Sequence, residues 1–244
     1  MLYIVATPIG NLEDITYRAV RTLNEVDHIA AEDTRHSRIL LEKYGIKTPT
    51  ISFHSYSDEK KLAHLISLLK EGKSIALISD AGTPGISDPG YKLIVTAREE
   101  GIHVVPIPGP SAFLTALQAS GLPTHQFLYL GFLPLKKGRQ TLLKTLQEEE
   151  RTVIFYESPH RLGKTLGELH DYFGERQLVI ARELTKIHEE YFHGTAAQAL
   201  HHFTGLNPEE VLGNSKPAKK ALKSALQSSN RPKGEFVLML APKS

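Results

Sequence analysis

Hydrophobic positions along the chain follow two alternating rhythms. Short apolar runs at Leu2–Thr7, His28–Ala31, Thr50–His54, Ile75–Ser79 and His103–Pro108 read as buried strands. Between them, apolar residues recur at the three- and four-residue spacing of a helix. A helix capped by Asp14 carries Ile15, Ala19, Val20 and Leu23. Another, capped by Thr34 or Ser37, runs through Leu40, Leu41 and Tyr44 and stops at Gly45. Asp58–Glu71 gathers Leu62, Leu65, Ile66 and Leu69 on one side and stops at Gly72. Tyr91–Glu100 ends at Gly101, and Ser111–Ser120 follows Gly109-Pro110. Strands alternating with helices predict a mainly parallel sheet with crossover connections.

Gly121-Leu122-Pro123-Thr124 interrupts this pattern, which then restarts. Strands are predicted at Phe127–Leu133, Thr152–Tyr156, Gln177–Ala181, Glu190–His193 and Glu235–Leu240. Helices are predicted at Lys136–Glu150, Pro159–Tyr172 and Ala196–Phe203, and at Pro217–Leu226 inside the polar, Lys-rich stretch Thr204–Pro232. Hairpin-like and crossover connections mix here, so a mixed sheet is expected. The predicted fold class is α/β, with one α/β domain over residues 1–121 and a second over 122–244. Two such domains are expected to leave a cleft between them, a common place for a ligand.

The stretch after Ile75–Ser79 departs from both rhythms. Asp80–Gly90 holds Gly82, Gly85 and Gly90 together with Pro84 and Pro89. It cannot be helix and makes a poor strand. It suits a tight loop at the carboxyl end of a strand, where open α/β sheets bind ligands. It lacks the Lys-Ser/Thr of a phosphate-binding P-loop.

Composition narrows the chemistry. Hydrophobic residues make up 41% and charged residues 23% of the 244, as in an ordinary globular protein. No cysteine is present, which removes disulfides, thiolate nucleophiles and thiolate metal sites. The twelve histidines show no H-E-x-x-H spacing, so no resident metal is expected. MLYIVATPIG has no basic leader region, and no apolar stretch is long enough for a membrane span, so a cytoplasmic protein is expected. The net charge of +2 divides unevenly, with −2 over residues 1–122 and +4 over 123–244. Lys136, Lys137 and Arg139, with Lys216, Lys219, Lys220 and Lys223, carry the excess. A polyanionic partner and solvated helix faces account for it equally. A homodimer is expected because closed two-fold dimers are the commonest oligomers.

Chemistry-bearing residues collect at strand ends. Pro8-Ile9-Gly10-Asn11 is a strand-to-helix turn without the full G-x-G-x-x-G fingerprint. Glu32-Asp33-Thr34-Arg35-His36-Ser37-Arg38 offers two carboxylates for proton transfer or a cation and arginines for phosphate, or simple helix capping with local ion pairs. Pro106–Ala112 rigidly aims the start of the Ser111 helix. Tyr156-Glu157-Ser158-Pro159-His160-Arg161 and Arg182-Glu183-Leu184-Thr185 repeat the arrangement in the second half. From these stretches Asp33 and Glu183 are candidate bases, and Arg35, Arg38 and Arg161 are candidate phosphate or ribose clamps.

VATPIGNLEDIT, AEDTRHSRILL, ISDAGTPGISDPG, PGPSAF, GFLP, FYESPHRL, ARELTK and KGEFVL, in this order, resemble the tetrapyrrole (corrin/porphyrin) methylase superfamily. Within it the chain is similar to the bacterial branch that 2′-O-methylates a cytidine of 16S ribosomal RNA in the small subunit. The resemblance implies S-adenosylmethionine as methyl donor, held largely by backbone groups. By position it implies Pro8, Ala81, Gly82, Thr83, Ile86, Ser111, Ala112, Glu157 and Leu184 as donor-binding residues. It assigns no base. Longer relatives add a C-terminal helical extension, so RNA contacts made there are expected to be absent or replaced here. Methylation of a small tetrapyrrole and a non-catalytic nucleotide-binding module are the alternatives.

Overall fold

The computed structural model describes residues 1–54, 59–87, 90–213, 216–228 and 232–243. Asp58, expected to open a helix, and Asp88 and Pro89 of the glycine–proline loop lie outside them. Five strands, β1 (Leu2–Val5), β2 (His28–Ala31), β3 (Thr50–Ser52), β4 (Ile75–Ile78) and β5 (Val104–Ile107), form a parallel sheet ordered β3-β2-β4-β1-β5. Leu2 of β1 is level with Ile75 on one side and Val104 on the other. Helices α1 (Tyr17–Glu25), α2 (Thr34–Lys43), α3 (Glu59–Lys70) and α4 (Tyr91–Glu99) alternate with the strands. Successive side chains on a strand face opposite ways, and a parallel sheet is covered on both faces. Ile75 and Leu77 therefore enter one core with Leu65 and Leu69 of α3 and Leu93 of α4. Ala76 and Ile78 enter another with Leu23 of α1 and Leu41 of α2.

Two helix starts differ from expectation. Asp14 closes a short 3₁₀ turn capped by Asn11, and Thr16 caps α1 by accepting from Ala19 N at 3.1 Å. Asp33, rather than Thr34 or Ser37, caps α2, accepting from Arg35 N at 2.8 Å. A cap must be extended, and Thr34 is already helical.

The second unit takes in α5 (Ala112–Ala119) from Phe113 onward and builds a mixed sheet, as expected. Its strands are β6 (Phe127–Phe132), β7 (Thr152–Glu157), β8 (Leu178–Arg182), β9 (Glu190–Gly194) and β10 (Phe236–Leu240), ordered β6-β7-β10-β8-β9. Of the neighbouring pairs among the described residues, β6–β7 is parallel and the other three are antiparallel. The helices are α6 (Arg139–Thr145), α7 (Pro159–Phe173), α8 (Ala196–Thr204), α9 (Pro208–Val211) and α10 (Lys216–Ser228). Leu162, Leu166 and Leu169 of α7 and Leu200 and Phe203 of α8 pack on Phe155, Ile180 and Leu238. A capping box between Thr195 and Gln198 starts α8. Gly163 and Gly167 leave a groove on α7 that Leu226 and Leu222 of α10 fill; a Cβ at Gly163 would lie 2.3 Å from Leu226 Cδ2. No helix among the described residues is long and apolar enough to cross a membrane.

The compact units are Met1–Ala112 and Phe113–Ser244, whereas the sequence pattern places the break at Gly121–Thr124. The helix after Ala112 sides with the second unit through its own contacts there. The Phe113 ring stacks on Tyr129 at 4.3 Å between centroids, and its N–H donates to the Tyr156 hydroxyl at 3.2 Å. The Tyr191 hydroxyl donates to the Thr115 carbonyl at 3.1 Å.

Leu77 is 1% exposed. Leu77→Ala is expected to destabilise the first unit by about 2–5 kcal/mol through loss of apolar burial and a residual cavity. Thr195→Ala, which removes only a cap, is expected to cost about 1 kcal/mol. Urea denaturation of both variants checks the ranking.

Candidate functional site

β4, β1 and β5 are neighbours in the sheet, so the loops at their carboxyl ends meet. Thr7 N donates to Gly82 O at 2.8 Å, and Gly82 N donates back to Thr7 O at 3.0 Å. Thr83 Oγ1 donates to Pro110 O at 3.0 Å, and Thr7 Oγ1 to Ser79 O at 3.2 Å. A Cβ on Gly109 would lie 2.9 Å from Ala6 Cβ, so only glycine permits this approach. Gly82 has φ +82°, a backbone conformation that residues with a side chain rarely adopt. Ser87 sits at φ 64°, uncommon for a residue with a side chain. Of the sequence candidates, this brings Pro8, Ala81, Gly82, Thr83, Ile86, Ser111 and Ala112 to one end of one sheet. Pro8 is buried, Ala81 and Ile86 are exposed, and Ser111 and Ala112 are half-buried. The surface offers backbone N–H and carbonyl groups, methyl groups and two hydroxyls. Such a surface can hold a ligand by shape and offers little for exchanging protons with it.

An acidic cluster adjoins it at the ends of β2 and β4. Asp80 N donates to Glu32 Oε2 at 3.4 Å, and Asp33 N donates to Asp80 Oδ1 at 3.1 Å. Beside them opens a hollow of about 430 Å³ lined by Glu32, Asp33, Thr34, Arg35, Ser52 and His54. The two adjacent acids differ in kind. Burial pushes the Glu32 carboxyl up, and the nearby charge of Asp80 adds to the shift. Asp33 is pulled down to about 2 by the Arg35 side chain, which donates to it at 3.0 and 3.3 Å, and by Arg35 N. Asp33 is thus a helix cap and ion-pair partner, a poor proton acceptor. Sequence reasoning overlooked Glu32 as a separate candidate. The signal was its place directly after the apolar run His28–Ala31, where the chain is still leaving the buried sheet. Arg38 is exposed and pairs with Glu42 at 3.4 Å along α2.

In the second unit the charged candidates are engaged with internal partners. Glu157 is 2% exposed; its carboxylate accepts from Thr165 Oγ1 at 2.6 Å and Ser158 N at 2.8 Å, and pairs with Arg161 at 3.1 Å. Arg161 also donates to the Leu133 carbonyl at 2.7 Å, so it is not a free clamp. Arg139, counted in the sequence as surface charge, is buried and donates to Glu168, Thr165 and the Pro134 carbonyl. Leu184 is buried between Glu183 and Thr185, both at positive φ. Glu183 Oε1 accepts from Glu235 N at 2.9 Å and Lys186 Nζ at 3.0 Å, tying the end of β8 to the start of β10. Burial pushes its carboxyl up, but these donors outweigh it and hold it below the usual range. That commitment removes Glu183 as a ready base.

The two acids of the first unit should respond oppositely to pH. A raised pKa means that ionised Glu32 opposes folding at neutral pH, and the penalty vanishes below the ordinary carboxylate range. Glu32→Gln is therefore expected to match or exceed the native stability at pH 7, with the gap closed at pH 4. A depressed pKa means that Asp33 stabilises above its unfolded value and loses this only as pH falls towards about 2. Asp33→Ala is expected to be less stable at pH 7 and still less stable at pH 4. Urea midpoints at the two pH values check both signs.

A family model described as Tetrapyrrole (Corrin/Porphyrin) Methylases matches residues 1–200. A Thermotoga maritima protein named ribosomal RNA small subunit methyltransferase I is 51% identical over 207 residues, which cover 85% of this chain and 93% of that protein. A Synechocystis protein of the same name is 48% identical over 243 residues, covering 99% of this chain and 78% of its own. A crystal structure of uroporphyrin-III C-methyl transferase from Thermus thermophilus complexed with S-adenyl homocysteine shares the fold, with a TM-score of 0.60 at 16% identity over 97% of this chain and 96% of that one. Matched by the family model over most of its length and by relatives about half identical to it, this chain belongs to the tetrapyrrole (corrin/porphyrin) methylases.

Proposed function

We propose that the chain is an S-adenosylmethionine-dependent methyltransferase that methylates the ribose 2′-oxygen of a cytidine in 16S ribosomal RNA of the small subunit. One observation carries this reading: the loop after β4 is locked to Thr7 and Pro110, forming a stiff seat almost free of reactive side chains. Family membership and the names of the half-identical relatives support methyl transfer to ribosomal RNA. Such a seat suits a donor that is already activated. When bound, S-adenosylmethionine supplies an electrophilic methyl group on a sulfonium. The protein then has to position rather than activate, and positioning alone can supply much of a rate enhancement.

Pro8, Ala81, Gly82, Thr83, Ile86, Ser111 and Ala112 would hold the donor by backbone and methyl contacts. A ribose hydroxyl is a weak nucleophile and benefits from a proton acceptor. Glu32 fills this role better than Asp33, because burial leaves its carboxyl the more basic of the two. Arg35, at the rim of the same hollow, is placed to take a phosphate of the substrate strand in exchange for its exposed pairing with Asp33. The reading entails a cytoplasmic protein, and we extend it to a homodimer on the general prevalence of two-fold assemblies.

With labelled S-adenosylmethionine and small-subunit ribosomal RNA lacking the modification, label is expected on a cytidine 2′-oxygen. Glu32→Gln should lower kcat by about 10²–10⁴, and Thr83→Val should chiefly raise KM for the donor. Label on a tetrapyrrole with none on RNA, or unchanged kcat in Glu32→Gln, would contradict the substrate or the base respectively.

A further inference from the structure

We propose that the end of β6 and its connection to α6, residues Phe132–Gly138, form a preformed contact for a single-stranded segment of the ribosomal RNA substrate. The proposal rests on the reading above for the identity of the RNA. The sheet register slips between Tyr129 and Phe132, and Gly131 takes φ 61°. Such bulges re-aim a side chain. Here Phe132 is left 52% exposed, with one edge on the Tyr156 ring at 5.5 Å between centroids. Leu135 follows at 70% exposed, then Lys136 and Lys137, both exposed. Among the described residues neither lysine has an ion-pair partner.

The inner side of the same segment is held from beneath. Leu133 is buried, and its carbonyl accepts from Arg161 at 2.7 Å. The next carbonyl, Pro134, accepts from Arg139 at 3.1 Å. Both guanidiniums are themselves fixed, Arg161 by Glu157 at 3.1 Å and Arg139 by Glu168 at 2.7 Å and Thr165 at 2.8 Å. Two charged side chains drawn into the unit thus tie down two successive carbonyls and make a platform of the segment. Its outward face pairs an exposed aromatic ring and an aliphatic residue with two adjacent cations. Bases stack on aromatic rings whatever their sequence, and lysines take the phosphates between them. A second copy of this loop is the poorer occupant, since a two-fold contact would set lysines against lysines.

The test measures binding of an unmodified 16S ribosomal RNA fragment between 50 and 200 mM salt, alongside methyl transfer. The double variant Lys136→Gln/Lys137→Gln is expected to flatten the slope of log affinity against log salt by about 1.4, two single-strand phosphate contacts. Phe132→Ala is expected to weaken binding with the slope unchanged. Both should raise KM for RNA and leave KM for S-adenosylmethionine alone. If wild type methylates the RNA and the variants bind it as wild type does, the platform is not an RNA contact and the functional reading stands. If wild type transfers no methyl group to small-subunit RNA, that reading falls, and the RNA assignment of the platform falls with it. If Phe132→Ala abolishes self-association and spares RNA binding, the face is a contact between copies and the proposal is overturned.

Discussion

The two hydrogen bonds exchanged by Thr7 and Gly82 are the constraint on which the rest depends. β1 and β4 are short, and beyond them the chain would be free to wander. Ordering a glycine-rich loop costs conformational entropy. The exchange of backbone bonds, with Thr83 reaching Pro110, offsets that cost without placing any reactive side chain at the site. Gly109 has no Cβ to prevent the close approach to Ala6, Gly82 supplies the positive φ, and Thr7 is buried where its hydroxyl can bond the Ser79 carbonyl. The sheet order places β1 between β4 and β5, so three loops from distant parts of the chain become one surface.

Beside this loop lies a small cluster of acids, Glu32, Asp33 and Asp80. Glu32 and Asp33 are neighbours, yet one is raised by burial and the other depressed by Arg35. Such separation of two carboxyls by environment lets one be basic while the other stays an anion that starts a helix. The second unit spends its charges differently. Glu157, Arg161, Arg139, Glu168 and Thr165 form a network in which each buried charge meets a partner. Burying these groups is tolerable only because they are paired and hydrogen-bonded, and the network fixes the backbone that follows β6.

The strands and helices were legible wherever burial and periodicity agreed. Ile75–Ile78 reads as a strand buried on both faces, and its alternate residues do feed two cores. The glycine–proline stretch was legible as an irregular loop because its composition suits neither helix nor strand, and the bonds to Thr7 and Pro110 that tie it down are long-range. The roles of single charged residues were not legible. Arg139 looked like surface charge beside Lys136 and Lys137, since nothing local shows that its partners Thr165 and Glu168 lie on α7. Glu183 looked like a free acid because one of its partners, the Glu235 N–H, is far along the chain, although the other, Lys186, is only three residues on. The break after Ala112 was hidden because the contacts that draw α5 to the second unit, with Tyr129, Tyr156 and Tyr191, are all long-range. Glu32 and Asp33 are alike in sequence and differ in depth and in the Arg35 donors that only Asp33 receives.

The central claim is that the locked loop is the seat of the methyl donor. A crystal structure of the chain soaked with S-adenosylhomocysteine tests it most directly. The account expects the ligand against Ala81–Ile86 and Ser111–Ala112, bonded mainly to backbone groups, with the Thr7–Gly82 exchange intact. A ligand seated away from these residues, or a loop that must release Thr7 to bind it, would contradict the account.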